Sequence, residues 1–326
     1  MEVAKEGGVI RWITKLLRPV IRLLFPNAAG DPELSGILCL NLTANLLGLG
    51  NAATPLGLQA MEALSARSGC PDTATDEMVT LMLLNSCSLQ LIPSTAASLR
   101  LAAGSGAPMA ILFPVLASSG AALFAALSLS ALLYLLVEIV LHQTPLPTIP
   151  QKGEEMSAAV WAIPLLTAGI LLAGLLKGTD LLSAFAKGAA RGLESARSLL
   201  PSLILFMTAI GMFRASGALE VLSYALRPLA KAVGLPEEVV PLALLRPVSA
   251  SASLSVFRRI LEISGPDSFP GQVASVIQSA SETTFYTIAL YTSAAKLKKS
   301  RHAMLCSLIG DLTVILTAGV FLRLFL

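Results

Sequence analysis

Long apolar runs recur along nearly the whole chain, and several approach the roughly 20 residues that cross a lipid bilayer. They lie near residues 34–50, 77–99, 107–141, 158–176, 199–215, 272–294 and 303–325. With 55% hydrophobic and only 13% charged residues, the chain has too few polar side chains to cover a soluble core of this size. The sequence therefore predicts an all-α, polytopic membrane protein, with the lipid bilayer as its first partner.

Several other classes of protein are not expected. The net charge of +3 provides no basic surface for nucleic acid. The four cysteines form no CxxC motif and have no metal-ligand spacing with His142 or His302, so neither a metal nor a cofactor is expected. The chain lacks HExxH and GxSxG motifs, and the serines at 249–255 have only Arg246 nearby as a base. The sequence therefore predicts a protein that is not an enzyme.

The chain contains an internal repeat. Four residues, Gly8, Arg18, Pro19 and Pro32, reappear at a constant spacing of 209 residues as Gly217, Arg227, Pro228 and Pro241. Both copies lie in or beside an amphipathic segment, the first at 9–25, which is typical of a helix in the lipid headgroup layer. We infer two homologous halves.

The proline-rich segment 142–157 predicts a linker between an N-terminal half at 1–141 and a C-terminal half at 158–326. Two apolar spans precede the amphipathic segment in the second half, but none does in the first. Either the first half lacks about 60 residues, or Met1 is internal to a longer reading frame. A complete half would hold roughly five crossing elements, and this odd number predicts repeats that are inverted in the membrane.

Polar and helix-breaking residues inside the apolar runs predict broken helices or re-entrant hairpins, because irregular backbone at membrane depth must face protein or water. In the first run, Gly48, Gly50 and Pro55 predict a break around Asn51 and Thr54. Its amides would face a cavity; alternatively, they would simply join packed helices. The run at 107–141 is long enough for a span plus a half-helix, with a break expected near Pro114 or at Ser118 to Gly120.

The segment at 244–255 carries Arg246 at membrane depth, followed by Pro247 and alternating serines. Proline predicts the end of a helix there. The guanidinium could bind an anionic group or a carboxylate in the cavity, or it could extend to the membrane surface.

The segment at 278–287 places Glu282 inside an apolar run, with Gln278 and Tyr286 one turn away on either side. A carboxylate there must be protonated, paired or hydrated, which suits coupling to H⁺ or Na⁺. The alternative is a static pair with Arg246. The corresponding first-half segment, 84–95, has amides and hydroxyls but no acid, and Asp311 is a second candidate for ion coupling.

These clusters carry a family resemblance. The motifs NLTANLLGLGNAATPLG at 41–57, PLALLRPVSASAS from residue 241 and ASVIQSASETTFY from residue 274 resemble the spore maturation proteins A and B. Those proteins share the nucleoside-recognition, or Gate, domain. Residues 8–57 are similar to the A type and 160–326 to the B type, which implies a fusion. The resemblance implies a role in the membrane of the spore-forming cell, connected with dehydration of the spore core.

The leading hypothesis is a secondary transporter or permease in the plasma membrane, moving a small polar solute with H⁺ or Na⁺, and the resemblance implies a nucleoside-like solute. Its rival is a non-transporting membrane assembly protein, which could be a homo-oligomer. Glu282 and Asp311 are the ion-coupling candidates. The candidate solute-binding residues are Asn41, Asn45, Asn51, Thr54, Asn85, Ser88, Arg246, Ser249, Ser251, Ser253, Thr283 and Thr284.

Overall fold

The described part of the chain is helical, as the sequence predicts. A computed structural model describes residues 17–141 and 215–325, except 18, 29, 47, 49 and 69–71, with a few isolated positions between the two ranges. In this part, extended pairing is limited to a single bridge between Thr73 and Lys299. The named helices are α1 (Pro32–Leu46), α2 (Gly50–Arg67), α3 (Asp76–Ser86), α4 (Ser94–Ala102), α5 (Leu112–Leu141), α6 (Ala218–Ala232), α7 (Val240–Leu245), α8 (Ala250–Ser264), α9 (Phe269–Ala280), α10 (Thr284–Ala294) and α11 (Ala303–Phe325).

The order of elements is the same in the two described ranges. Helices α1 and α2 pack against each other as a hairpin, α3 and α4 are separated by a short break, and the long helix α5 follows. After the amphipathic helix α6, the hairpin α7–α8, the interrupted pair α9–α10 and the long helix α11 follow in turn. Neither α3 with α4 nor α9 with α10 packs side by side, so each pair is one interrupted helix instead of a hairpin.

The first hairpin turns at Gly48, and glycine is required there for two reasons. Its φ of 68° lies in the left-handed region, which residues with a Cβ rarely adopt. A Cβ at this position would also lie 2.3 Å from the carbonyl oxygen of Ile92, in the break between α3 and α4. The absence of a side chain therefore lets the hairpin turn approach the break closely.

The two long helices pack against each other and form the centre of the described structure. Close approach is possible at Gly310 of α11, where a Cβ would lie 2.8 Å from Cys87 Sγ and 3.5 Å from the carbonyl oxygen of Ala122 in α5. By length and composition, Leu112–Tyr134 and Ala303–Phe325 could each cross a membrane. Apolar side chains on their outer faces are exposed, as Phe124 (75%) and Leu324 (71%) illustrate.

The predicted break within 107–141 is wrong, because α5 continues without interruption from Leu112 to Leu141. Pro114 lies in the first helical turn, where a backbone N–H has no intrahelical acceptor and its loss costs little. Ser118 and Ser119 are completely buried. We infer that this packing outweighs the cost of about 1 kcal/mol that Gly120 adds to a helix.

Other predictions concern residues outside the described part of the chain. They are the linker at 142–157, the spans at 158–176 and 199–215, and most of the amphipathic segment at 9–25. The second amphipathic segment is described as α6, where Val221 and Tyr224 are 72% and 73% exposed. Such large exposed apolar side chains suit a surface in contact with lipid.

Candidate functional site

Each hairpin turn is hydrogen-bonded to the interrupted helix that follows it. In the first half, the backbone N–H of Leu91 donates to the carbonyl oxygen of Leu46 at 2.7 Å. In the second half, the N–H of Phe285 donates to the carbonyl oxygen of Pro247 at 3.0 Å. The backbone groups that the breaks release are thus partly satisfied by the hairpin turns, as burial requires.

The two interrupted helices also contact each other, at what we call the crossing point, formed by Ser86–Ser88 and Ser281–Thr283. The N–H of Glu282 donates to the carbonyl oxygen of Ser86 at 3.2 Å. The hydroxyl of Ser88 donates to Glu282 Oε1 at 3.3 Å. Each half therefore supplies hydrogen-bonding groups to the break of the other.

Three charged residues gather at the crossing point, and all three belong to the second half. Arg246 is 5% exposed, and its Nη2 lies 3.4 Å from Glu282 Oε2 and also donates to the carbonyl oxygen of Ser281. Asp311 is 4% exposed, and its Oδ2 accepts a hydrogen bond from the Thr284 hydroxyl at 2.5 Å. Electrostatic interactions link Asp311 to both Arg246 and Glu282. The structure thus brings together both predicted ion-coupling residues and the predicted arginine.

Several polar atoms around these charges are buried without a hydrogen-bond partner in the described part of the chain. They are Arg246 Nε, Gln278 Oε1, Tyr291 Oη and Asp311 Oδ1. An unsatisfied buried polar group costs about 1–3 kcal/mol, so such atoms are uncommon away from functional sites. Arg246 and Asp311 each contribute one of these atoms, which makes the crossing point a candidate binding site for polar groups.

Three of the predicted asparagines form one network beside the crossing point. Asn41 and Asn85 exchange hydrogen bonds between their amide groups, at 2.9 and 3.0 Å. Asn45 donates to the same Asn85 oxygen at 2.9 Å, and Asn41 also donates to the carbonyl oxygen of Ala53 at 2.8 Å. These amides join the first hairpin to α3. Such a contact is what we expect if the amides only hold packed helices together, which is the alternative to a cavity.

The remaining candidates are more dispersed. Asn51 and Thr54 lie within α2, because α1 ends at Leu46 and α2 begins at Gly50, ahead of the predicted break. Ser249 is buried and caps α8 by accepting a hydrogen bond from the N–H of Ala252. Ser251 is exposed beside it, with its hydroxyl oxygen 3.4 Å from that of Ser249.

Two further candidates are buried. Ser253 uses its hydroxyl to donate to the carbonyl oxygen of Ala250 within α8, and Thr283 lies in the break beside Glu282. The solute-binding prediction therefore concentrates at Ser88, Arg246 and the residues of the second break.

A second polar contact between the halves was missed by the sequence reasoning, which ended the second span just before Arg100. This arginine is completely buried, and its Nη2 donates to Asp267 Oδ1 at 2.8 Å. It also donates to the carbonyl oxygens of Pro108, at 3.2 Å, and Pro266. Asp267 is 46% exposed, and its pKa is lowered by hydrogen bonds from the Ser105 hydroxyl and a backbone N–H, and by the Arg100 charge.

A similar contact occurs at the opposite pair of loops. The segment before α3 pairs with the segment before α11 through Lys298 and Asp72, 2.9 Å apart, and through Arg301 and Asp76, 2.5 Å apart. The loop between α2 and α3 therefore contacts the loop between α10 and α11. In the same way, the loop between α4 and α5 contacts the loop between α8 and α9.

Among the described residues, no group of three or more His, Cys, Asp or Glu is placed to hold a metal ion.

A helical chain with apolar outer faces and buried charges where two interrupted helices meet is an integral membrane protein. Residues 196–298 match the Gate family, described as nucleoside recognition. The chain is 40% identical over 162 residues to spore maturation protein B of Bacillus subtilis (strain 168), an alignment that covers 50% of this chain and 91% of that protein. It is 38% identical over 114 residues to spore maturation protein A of the same organism, covering 35% of this chain and 58% of that protein.

The chain therefore belongs to the Gate family of membrane proteins and joins sequences similar to spore maturation proteins A and B. The resemblance expected from the motifs is confirmed. No solved structure matches the chain.

Proposed function

We propose that the chain is a permease that carries a small polar solute past the crossing point, coupled to H⁺ or Na⁺. The observation that carries the proposal is the charged cluster of Arg246, Glu282 and Asp311 between two interrupted helices. Charges at membrane depth cost several kcal/mol, so a protein that only needed to pack its helices could avoid them. Exchange of a solute and an ion would use both the charges and their unsatisfied polar atoms.

The lengths of the interrupted helices support this proposal. The helices α3, α9 and α10 contain 11, 12 and 11 residues, each about half of the roughly 20 needed to cross a bilayer. Their breaks would therefore lie near the middle of the membrane if the outer ends reach its surfaces. Together with the pairing of opposite loops, this arrangement supports two inverted repeats that move relative to each other.

The chemistry around the cluster suggests the class of solute. Hydroxyls and amides surround one guanidinium and two carboxylates, so a neutral molecule that accepts and donates hydrogen bonds would fit. Nucleosides have this character, and the description of the Gate family makes them the first solutes to test. The names of the two relatives suggest a role in spore maturation, and we propose that the protein acts in the plasma membrane of the spore-forming cell.

A second candidate function, a non-transporting assembly protein, has support from a different observation. The side chains of Asn41, Asn45 and Asn85 satisfy one another, and Arg246 already has Glu282 as a partner. Polar residues used in this way would join helices, within one chain or in a homo-oligomer, without binding any solute.

The substitution Glu282→Gln separates the two functions. In proteoliposomes, a folded Glu282→Gln protein should take up a radiolabelled nucleoside about tenfold more slowly than the wild type, or lose its dependence on the ion gradient. Glu262→Gln is the matched control, because Glu262 is exposed on α8. A wild-type protein that transports nothing from a nucleoside panel, or a Glu282→Gln protein with unchanged, ion-dependent uptake, would contradict the proposal.

The assembly function makes the opposite prediction for purified protein. A permease should be stabilised against thermal unfolding by its solute, because a ligand that binds only the folded state adds to the free energy of unfolding. An assembly protein should unfold at the same temperature with every nucleoside in the panel. Glu282→Gln would then lower the unfolding temperature without altering any transport.

A further inference from the structure

The charges at the crossing point do not balance. Arg246 is closest to Glu282, with Nη2 and Oε2 3.4 Å apart, and no second carboxylate of the described residues lies at salt-bridge distance from it. Asp311 receives one neutral hydrogen bond, from Thr284, and its Oδ1 has no partner in the described part of the chain. With one cation and two carboxylates, the cluster carries an excess negative charge unless Asp311 binds a proton or a metal cation. A buried unpaired carboxylate costs several kcal/mol, so it must be neutralised.

Asp311 lies in the wall of a cleft that is separate from the contact between Ser88 and Glu282. The cleft has a volume of about 290 Å³ and runs between α6, α7, α10 and α11. Among the described residues that line it, Asp311 is the only ionisable one. The other lining residues are Leu222, Ala243, Leu244, Pro247, Val248, Phe285, Leu308, Leu312 and Ile315.

This lining distinguishes a proton from a metal cation. Hard cations need several oxygen ligands, and the lining side chains of the cleft supply only the two oxygens of Asp311. The Thr284 hydroxyl adds a third oxygen, but it already donates to Oδ2. A proton needs only one oxygen, and Asp311 Oδ1 is free to accept it.

We propose that Asp311 is a proton-binding site reached through this apolar cleft and distinct from the Glu282 side of the crossing point, where the solute would bind. The titratable and charged groups that face Asp311 are Arg246, Glu282 and the Cys87 thiol. Coupling of the proton to transport rests on the proposed permease function, whereas proton binding at Asp311 does not. Glu282 would hold the solute together with Arg246, and Asp311 would take up one proton in each transport cycle.

Chemical labelling tests the site without any solute. Dicyclohexylcarbodiimide is an apolar reagent that modifies protonated carboxyl groups, so it should enter the cleft and label Asp311 in the purified wild-type protein. Mass spectrometry of the peptides would locate the label. Above the pKa of the site, the rate of labelling should fall about tenfold per pH unit, because the protonated fraction falls in that proportion.

Three comparisons make the test specific. Asp311→Asn should remove the label, whereas Glu282→Gln should keep it. A water-soluble carbodiimide should label Asp311 at least about tenfold more slowly, because the side chain is buried in an apolar cleft. NaCl and choline chloride at equal ionic strength should give the same labelling rate at each pH.

Two results would overturn the proposal. The first is a wild-type protein in which Asp311 is not labelled at any pH, or in which the label appears on Glu282 instead. The second is protection by NaCl relative to choline chloride, which would make the site a sodium site. Since the labelling needs no transport, a protein that moves no nucleoside but carries the label at Asp311 would contradict the permease function and still support the proton site.

Discussion

Replacement of Arg100 by methionine removes the buried arginine that joins the first half to the loop between α8 and α9. Methionine keeps an unbranched apolar stem, but it leaves the carbonyl oxygens of Pro108 and Pro266 and the Asp267 carboxylate without this donor. Removing one member of a buried pair costs about 3–5 kcal/mol, mainly because the partners remain desolvated. Asp267 is half exposed and can regain water, so the lower end of that range is expected.

The chain provides its own reporter for this measurement. Cys39, Cys87 and Cys306 are free and buried, so a thiol-reactive dye becomes fluorescent as the detergent-solubilised protein unfolds. A loss of about 3 kcal/mol should lower the midpoint by roughly 10 °C. The matched control is Arg258→Met, because Arg258 is exposed on α8 and its replacement should change the free energy of unfolding by less than about 0.5 kcal/mol.

The result that would refute this reasoning is an Arg100→Met midpoint equal to that of Arg258→Met. Equal midpoints would mean that the buried guanidinium contributes no more than a surface arginine, so its contacts do not hold the loops together. A double substitution with Asp267→Asn should be less destabilising than the sum of the two single substitutions, since both remove the same 2.8 Å contact.

Three further substitutions test other contacts with the same thermal assay. Gly57→Ala should destabilise by about 1–3 kcal/mol, because the new Cβ would lie 1.7 Å from the buried Tyr291 hydroxyl; an unchanged midpoint would show that the ring moves freely. Asn85→Ala should cost about 1–3 kcal/mol by leaving the Asn41 amide without its partner, and no change would contradict a structural role for the network. The pKa of Asp267 is lower in the folded protein than its ordinary value of 3.8, so ionised Asp267 stabilises the fold at pH values above 3.8. This stability is lost as the pH falls through the folded-state pKa. The difference between wild type and Asp267→Asn should therefore shrink in acid, and a constant difference would be evidence against this contact.

The two hairpin turns could be predicted from the sequence because their causes are local. Pro247 lacks a backbone N–H, and Gly48 adopts a φ of 68°, so each acts through its own backbone. Glu282 was found for a related reason, since a carboxylate in an apolar run is unusual wherever the rest of the chain lies. Local chemistry was therefore enough to identify the hairpin turns and Glu282, but not the interruptions of the spans at 77–99 and 272–294.

Contacts between distant segments could not be predicted in the same way. Arg100 and Asp267 are 167 residues apart, and each looks like an ordinary surface residue at the end of an apolar run. The incorrect break in α5 has the same origin, because the packing that buries Ser118 and Ser119 against neighbouring helices cannot be seen in the segment itself. Such pairings depend on topology, for which a single sequence gives no direct signal.

The asymmetry of the crossing point has a consequence for how the halves work together. The second half supplies every charge, but both the backbone and the carboxylate of Glu282 are held by the first half, through Ser86 and Ser88. Neither half alone can form this arrangement, since the break in α3–α4 has no acid and the break in α9–α10 would lose two of its hydrogen bonds. Two separate chains carrying these halves would have to associate to form the same site. Joining them in one polypeptide makes that association intramolecular, which raises the effective concentration of each half around the other.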